Sequence, residues 1–94
     1  MNLPQDIPPE RSLIEYPVRF PIKVMGANTV EFHAAMVHIA RAFEPAFDAD
    51  SVEQRPSKAG NYLGLTLSVR VTSREQLDEL YRTLTSHPMV KVVL

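Results

Sequence analysis

Apolar and polar residues alternate along two stretches of this chain. Residues 18–25 read VRFPIKVM and residues 63–71 read LGLTLSVRV, with an apolar side chain at every second position. A period of two is typical of a strand that buries one face. In the first stretch the core side would hold Val18, Phe20, Ile22 and Val24, and the opposite side Arg19, Pro21, Lys23 and Met25. Both stretches are therefore predicted strands.

Pro21 is the irregular position in the first of these strands. Proline has no N–H to donate to a neighbouring strand and is rare in central strands. We therefore expect regular pairing to begin only at Ile22, or a β-bulge to form at this point.

Two weaker strands and a turn are predicted from shorter segments. Residues 89–94 (MVKVVL) indicate a terminal strand, and the charged residues 47–55 (FDADSVEQR) indicate a weak strand at an exposed edge. Residues 56–61 (PSKAGN) have the composition of a turn.

The first predicted helix covers residues 29–43, where apolar residues recur with a helical period. Its apolar stripe consists of Phe32, Met36, Ile39 and Phe43. Asn28 is the expected N-cap, with Glu31 as its capping-box partner. Gly26 is expected to make the turn that precedes this helix, and Pro45 to end it.

The second predicted helix lies between Val71 and Pro88. Its apolar face consists of Leu77, Leu80, Tyr81 and Leu84. Two pairs of residues fit its start, Thr72 with Glu75 or Ser73 with Gln76. It ends before Pro88, because the residue before a proline is disfavoured in a helix.

The order of elements is β-α-β-β-α-β. This order predicts an α+β fold of the ferredoxin-like type, a two-layer sandwich in which two helices cover one face of a four-stranded antiparallel sheet. Residues 13–94 would form this single domain. Residues 1–12 hold three prolines and little hydrophobic pattern, so we expect a flexible N-terminal tail there.

Composition narrows the class of protein further. The chain has 94 residues, of which 45% are hydrophobic and 22% charged, as in ordinary globular domains. It contains no cysteine, which excludes disulfides and thiolate-ligated metals. A net charge of −1 argues against a dedicated nucleic-acid binder. Without a long apolar run or a signal-peptide pattern, we expect a cytoplasmic protein that does not enter membranes.

Positive charge is concentrated on one face of the predicted sheet. Side chains opposite the core would include four bases, Arg19, Lys23, Arg70 and Lys91. Such a cationic face suits an anion, an acidic partner or nucleic acid. The same residues could equally keep an uncovered sheet face soluble.

Catalytic and metal-binding patterns are missing from the sequence. His33 and His38 are five residues apart, and a helix would point them in different directions. The glycines give no dinucleotide-binding or Walker motif, and no nucleophile elbow is present. Tyr62 is the single aromatic residue expected on the open face, which is too little for a base-stacking surface. We therefore expect no enzyme, no metal and no cofactor, and we favour a nucleic-acid partner less than the alternatives below.

Several segments together resemble one family. LIEYPVRFPIKVMG, RPSKAGNY before an alternating strand, EQLDELYRTL and the terminal VKVVL look like the YbeD-like family of small, uncharacterised bacterial proteins. The resemblance covers about residues 12–94. It implies a ferredoxin-like fold similar to the ACT-type regulatory domains of amino-acid metabolism. Genes of this family lie near lipoate-attachment genes in many bacteria, which implies a link to lipoate metabolism.

Two segments, residues 23–26 and 56–62, carry the resemblance most specifically, and together with Asn28 of the following loop they supply the candidate binding residues. These candidates are Lys23, Gly26, Asn28, Pro56, Ser57, Gly60, Asn61 and Tyr62. ACT-type domains bind an amino acid near the loop after the first strand, which corresponds here to residues 25–28. This loop lacks the acidic residue often found before the ACT glycine.

Two functions are favoured at this point, and RNA binding stays open as a less favoured third. The first is a non-enzymatic regulatory module that binds a small metabolite or a metabolic enzyme. The second is a protein-interaction adaptor that uses the cationic face or the edge strand. A homodimer is plausible for either, because a four-stranded sheet face is a large surface for a monomer to leave in water.

Overall fold

The computed structural model describes residues 14–94, and the predicted tail at residues 1–12 lies outside the described residues. Four strands form one antiparallel sheet in the order β2-β3-β1-β4. Two helices pack against one face of this sheet. The elements are β1 (Val18–Ala27), α1 (Val30–Phe43), β2 (Glu53–Pro56), β3 (Tyr62–Val71), α2 (Arg74–Thr85) and β4 (Val90–Val93). The predicted ferredoxin-like fold is confirmed.

The core lies between the helices and the central strands β1 and β3. These two strands pair over ten residues without a shift in register, from Val18 opposite Val71 to Ala27 opposite Tyr62. Alternate residues of both strands face the helices, as the sequence pattern predicts. The largest fully buried side chains are Phe32, Ile22, Met36, Leu65, Leu67, Leu80, Leu84, Val24, Val69 and Val71. The opposite face of the sheet has no helix against it among residues 14–94.

The prediction that strand pairing is irregular at Pro21 is wrong. Pro21 sits in the unbroken register of β1 and β3, opposite Ser68. Backbone groups of successive strand residues point to opposite sides, and Lys23 exchanges both its backbone hydrogen bonds with Leu94, on the β4 side. The nitrogen of Pro21 therefore also faces the β4 side. Because β4 does not extend that far, proline costs the sheet no hydrogen bond.

The expected N-cap at Asn28, with Glu31 as its partner, is also wrong. Thr29 is the N-cap of α1, and its hydroxyl accepts the backbone N–H of Phe32 at 3.0 Å. For α2 the second of the two sequence alternatives is correct, since Ser73 accepts the backbone N–H of Gln76 at 3.1 Å.

Gly26 does not make a turn. It is a buried residue inside β1, and a Cβ atom there would lie 2.6 Å from the ring of Phe32 and 2.5 Å from the carbonyl oxygen of Met89. Glycine is needed because the first turn of α1 and the segment before β4 both press against this point of the strand. The loop was predicted at residues 25–28, whereas in the structure only Asn28 and Thr29 lie between β1 and α1.

The predicted edge strand at residues 47–55 forms only at its end. Strand β2 begins at Glu53, and a short 3-10 helix (Ala49–Ser51) precedes it. Phe47 and Val52 are buried, so this segment contributes to the core as well as to the edge. The other edge strand, β4, carries a register shift beside Met25 and Gly26, where Lys91 is the extra residue.

Candidate binding groove on the uncovered sheet face

The strand registers arrange the side chains of the uncovered face in rows across the sheet. One row consists of Glu53, Thr66, Lys23 and Leu94 on β2, β3, β1 and directly after β4. The next row consists of Arg55, Gly64, Met25 and Val92. We call these the first row and the second row. Each row runs from a charged residue on β2 to an apolar residue at the β4 side.

Gly64 makes the floor of a groove in the second row. It has no side chain, and a Cβ atom there would meet only the carbonyl oxygen of Arg55, at 3.5 Å. The surrounding side chains enclose a concave volume of about 460 Å³ that reaches across all four strands. We call this the Gly64 groove.

Large apolar side chains stand exposed around the Gly64 groove. Met25 is 41% exposed, Tyr62 46%, Val92 44% and Leu94 74%. All four border the groove. Scattered exposed apolar residues are ordinary, but a contiguous group on one face is typical of an interaction surface.

Three charged side chains lie at the same groove: Lys23, Glu53 and Arg55. All three are exposed, and within residues 14–94 none of them forms an ion pair or a side-chain hydrogen bond. Their local charge is therefore +1 (two bases and one acid) and is available to a bound molecule. An anionic group near apolar surface is the chemistry that such a combination suits.

The sequence candidates divide into two groups in space. Four of them line the Gly64 groove: Lys23, Pro56, Ser57 and Tyr62. The others lie at the end of the sheet, where the loop between β2 and β3 meets the start of α1. There the backbone N–H of Asn28 donates to the carbonyl of Asn61, and its side-chain amide donates to the carbonyl of Gly60, both at 3.0 Å. Asn28 thus links the loop between β2 and β3 to the end of β1, whereas Gly26 faces the core.

The loop between β2 and β3 is held by its own polar groups. Ser57 donates its backbone N–H to the carbonyl of Tyr62 at 2.8 Å, and its hydroxyl accepts the N–H of Tyr62 at 3.0 Å. Gly60 has a φ of 81°, a conformation that glycine adopts without strain. Ser57 and Asn28 therefore fix the position of Tyr62 beside the groove.

The predicted cationic face is altered by one ion pair. Arg19 is bound through both terminal nitrogens to Glu44, at 3.2 and 2.9 Å. This contact, chiefly the hydrogen bond from Arg19, lowers the pKa of Glu44 and raises that of Arg19. Arg70 lies directly opposite Arg19 in the sheet, outside the Gly64 groove, and Lys91 occupies the register shift of β4. Of the four predicted bases, Lys23 alone lines the groove.

Sequence reasoning missed several residues of the groove. Gly64, Met25, Glu53, Arg55, Val92 and Leu94 all line it. A glycine in the middle of an alternating strand was the available signal, because it often marks a place where another molecule approaches the sheet. The remaining residues could be found only from the pairing of β2 and β4 with the central strands.

Other chemistry is sparse in the part of the chain that the structure describes. Within residues 14–94 no three His, Asp or Glu side chains come together as a metal site would require. No helix of this part is both long and apolar enough to pass through a membrane.

Known proteins that are similar to this chain show the family to which it belongs. Residues 11–94 match the family described as "Protein of unknown function (DUF493)". A UPF0250 protein of Leptothrix cholodnii is 70% identical over 90 residues, covering 96% of this chain and 99% of the relative. The chain belongs to the DUF493 family. This confirms the predicted resemblance to the YbeD-like proteins.

Other DUF493 relatives are similar over almost the same length. A UPF0250 protein of Bordetella parapertussis is 63% identical over 89 residues, covering 95% of this chain and 98% of the relative. One from Ralstonia nicotianae is 61% identical over 87 residues, covering 93% and 90%. The sequence match to DUF493 therefore covers all the residues that the structure describes, including all four strands of the groove.

Proposed function

We propose that this bacterial protein is a non-enzymatic regulatory module of the cytoplasm that binds a small anionic metabolite in the Gly64 groove. The observation that carries the proposal is the groove itself, about 460 Å³ in volume, with apolar walls and charged side chains that have no partner within residues 14–94. Pockets for small molecules have this combination of apolar lining and a few polar groups.

The arrangement favours binding rather than catalysis. Lys23, Glu53 and Arg55 are exposed side chains on separate strand positions of an open face, with Thr66 between Lys23 and Glu53. An acid–base pair for catalysis needs two groups within hydrogen-bond reach of one reacting atom. Ionic recognition needs only that the charges flank the bound molecule, which the groove allows.

A thermal-shift screen of the purified chain tests the proposal. The panel holds amino acids, nucleotides, lipoate, octanoate and inorganic anions. A compound at 100 times its Kd stabilises a protein by about 2.7 kcal/mol, which corresponds to a rise in Tm of roughly 10–20 °C for a domain of this size. A flat response to every compound in the panel at millimolar concentration would argue against a metabolite site.

Two variants connect any such compound to the groove. Gly64→Leu should fill the groove and abolish the shift in Tm. Ser68→Leu adds the same side chain on the same strand and face, but Ser68 does not line the groove, so it serves as the matched control. Loss of the shift in both variants, or in neither, would place the binding elsewhere.

A protein-interaction adaptor is the second candidate. The group of four exposed apolar side chains around the groove supports it, because such patches are typical of protein contacts. In this case a metabolic enzyme would be the partner. Met25→Glu should then abolish capture of that enzyme from bacterial extract, whereas Arg74→Glu on the exposed surface of α2 should leave it unchanged.

A further inference from the structure

The uncovered face carries a charge pattern that is complementary to itself. Glu53 and Arg55 lie on β2 at the same end of the first and second rows, one acidic and one basic. At the other end of the same rows, Leu94 and Val92 are both apolar and exposed. The two rows therefore match each other at both ends, with opposite charges on one side and apolar residues on the other.

We propose that two copies of this chain associate through their uncovered sheet faces, with the first row of each copy against the second row of the other. The two-fold axis would run across the strands, between the two rows. Each strand then lies over the same strand of the second copy in the opposite direction, which suits sheets that pack face to face about 10 Å apart. Dimers of this isologous kind use the same surface on both copies.

Both ends of the rows gain a suitable neighbour in this arrangement. Glu53 faces Arg55 of the second copy, and this contact occurs twice. Leu94 faces Val92 of the second copy, which removes the most exposed apolar side chain of the face from water.

The middle positions of the rows are compatible with the same packing. Thr66 faces Gly64 of the second copy, so a small side chain points into the groove where a larger one is absent. Lys23 faces Met25 of the second copy, and a lysine can lay its aliphatic stem along such an apolar side chain while its ammonium group stays in water.

Charge also discriminates against a second symmetric face-to-face arrangement. A two-fold axis parallel to the strands, between β1 and β3, would place Glu53 against Leu94 and Arg55 against Val92 of the second copy. Both charged side chains of β2 would then lie against apolar residues with no opposite charge, which is unfavourable.

Charge reversal on β2 tests the arrangement by sedimentation equilibrium. Glu53→Arg should bring two guanidinium groups together at each of the two contacts, and Arg55→Glu should bring two carboxylates together. Each variant alone should therefore raise the dimer Kd by about tenfold or more. When the two variants are mixed, one contact of the mixed dimer pairs two wild-type residues and the other pairs the two introduced ones.

The geometry fixes what each contact of that mixed dimer contains. The Glu53→Arg chain keeps Arg55, and the Arg55→Glu chain keeps Glu53, so these two residues form a normal ion pair. The introduced arginine and the introduced glutamate form the second pair with its polarity reversed. The mixture should therefore recover a dimer with about the wild-type Kd.

A matched mixture on a remote surface controls for net charge. Glu75→Arg and Arg74→Glu change the charge by the same amounts on the exposed side of α2. Neither of these variants should alter the dimer Kd, alone or mixed. A wild-type chain that stays monomeric at millimolar concentration would overturn the proposal, as would a dimer that is insensitive to both reversals on β2.

Folding of the variants is checked by circular dichroism. If either reversal prevents folding, Glu53→Gln and Arg55→Gln remove the same ionic contact without creating repulsion. Both should then weaken the dimer, and an unchanged Kd would contradict the proposed contact.

Discussion

Arg19 on β1 and Glu44 directly after α1 form an ion pair that closes an open edge of β3. The same carboxylate accepts the backbone N–H of Arg70 at 2.9 Å, and Arg19 donates to the carbonyl of Ser68 at 2.7 Å. Both backbone groups lie beyond Thr66, where the pairing of β2 with β3 ends. The ion pair therefore satisfies backbone groups that could otherwise recruit another strand.

Glu44→Gln should destabilise the protein by about 1–2 kcal/mol at neutral pH. The carboxylate accepts charge-assisted hydrogen bonds from Arg19 and a backbone bond from Arg70, and its side chain is only 14% exposed. Urea denaturation of wild type and variant measures the difference. Glu79→Gln removes the exposed ion pair with Arg82 and is the control, because an ion pair in water should leave the free energy of unfolding almost unchanged.

The stabilisation from Glu44 should disappear in acid. Its pKa is lowered in the folded state, chiefly by the hydrogen bond from Arg19. The contribution is therefore fully present above the unfolded-state pKa of about 4.3 and is lost as the pH falls through the lowered folded-state value. The difference in unfolding free energy between wild type and Glu44→Gln should shrink below about pH 4. A difference that stays constant down to about pH 2 would contradict this assignment.

Gly26→Ala should destabilise the fold by about 1–3 kcal/mol, because the added methyl group overlaps Phe32 and the Met89 carbonyl. Thermal and chemical denaturation of wild type and variant measure this difference in unfolding free energy. The loss caused by Gly26→Ala should be smaller when it is measured in a Phe32→Leu background, because the ring is one of the two groups that the new methyl group meets. Gly64→Ala is the matched control on the opposite face of the sheet, where the new methyl group has ordinary contacts and the change should stay within about 0.5 kcal/mol.

Thr29→Ala should cost about 1 kcal/mol through loss of the N-cap of α1. Thr29→Ser keeps the hydroxyl and should retain most of the stability. Asn28→Ala should act on another part of the molecule, because its side chain bonds to Gly60 and not to the helix. Hydrogen exchange separates the two: protection should fall in the first turn of α1 for Thr29→Ala and in the loop at residues 57–61 for Asn28→Ala.

Metabolite binding and self-association should oppose each other if both use the Gly64 groove. A molecule that binds only the monomer shifts the equilibrium away from the dimer, by mass action. The apparent dimer Kd should therefore rise with the concentration of a compound that raises Tm in the wild type and not in Gly64→Leu. A compound that strengthens the dimer would instead indicate that both copies contribute to its site.

Sequence periodicity was sufficient to predict both helices, the two central strands and the two faces of those strands. The alternation in residues 63–71 identified which side chains of β3 are buried, because the period of two is a local property of the extended chain. The helical spacing from Phe32 to Phe43 likewise identified the face of α1 that packs on the sheet. Four candidate residues that came from segment resemblance do lie at one groove: Lys23, Pro56, Ser57 and Tyr62.

Only the tertiary structure decided the details that depend on neighbours distant in the chain. The sequence predicted Gly26 as a turn residue. In the structure it lies within β1, and glycine is required there because a side chain would overlap the ring of Phe32 and the chain before β4. Pro21 looked disruptive, but whether its missing N–H matters depends on where β4 ends. The sequence predicted that Arg19 is an unpaired cation of the uncovered face, whereas in the structure it forms an ion pair with Glu44. The sequence by itself determined the two long strands, the two helices and the buried face. Strand register determined which charges, glycines and apolar side chains share a surface, because register links residues that local patterns cannot relate.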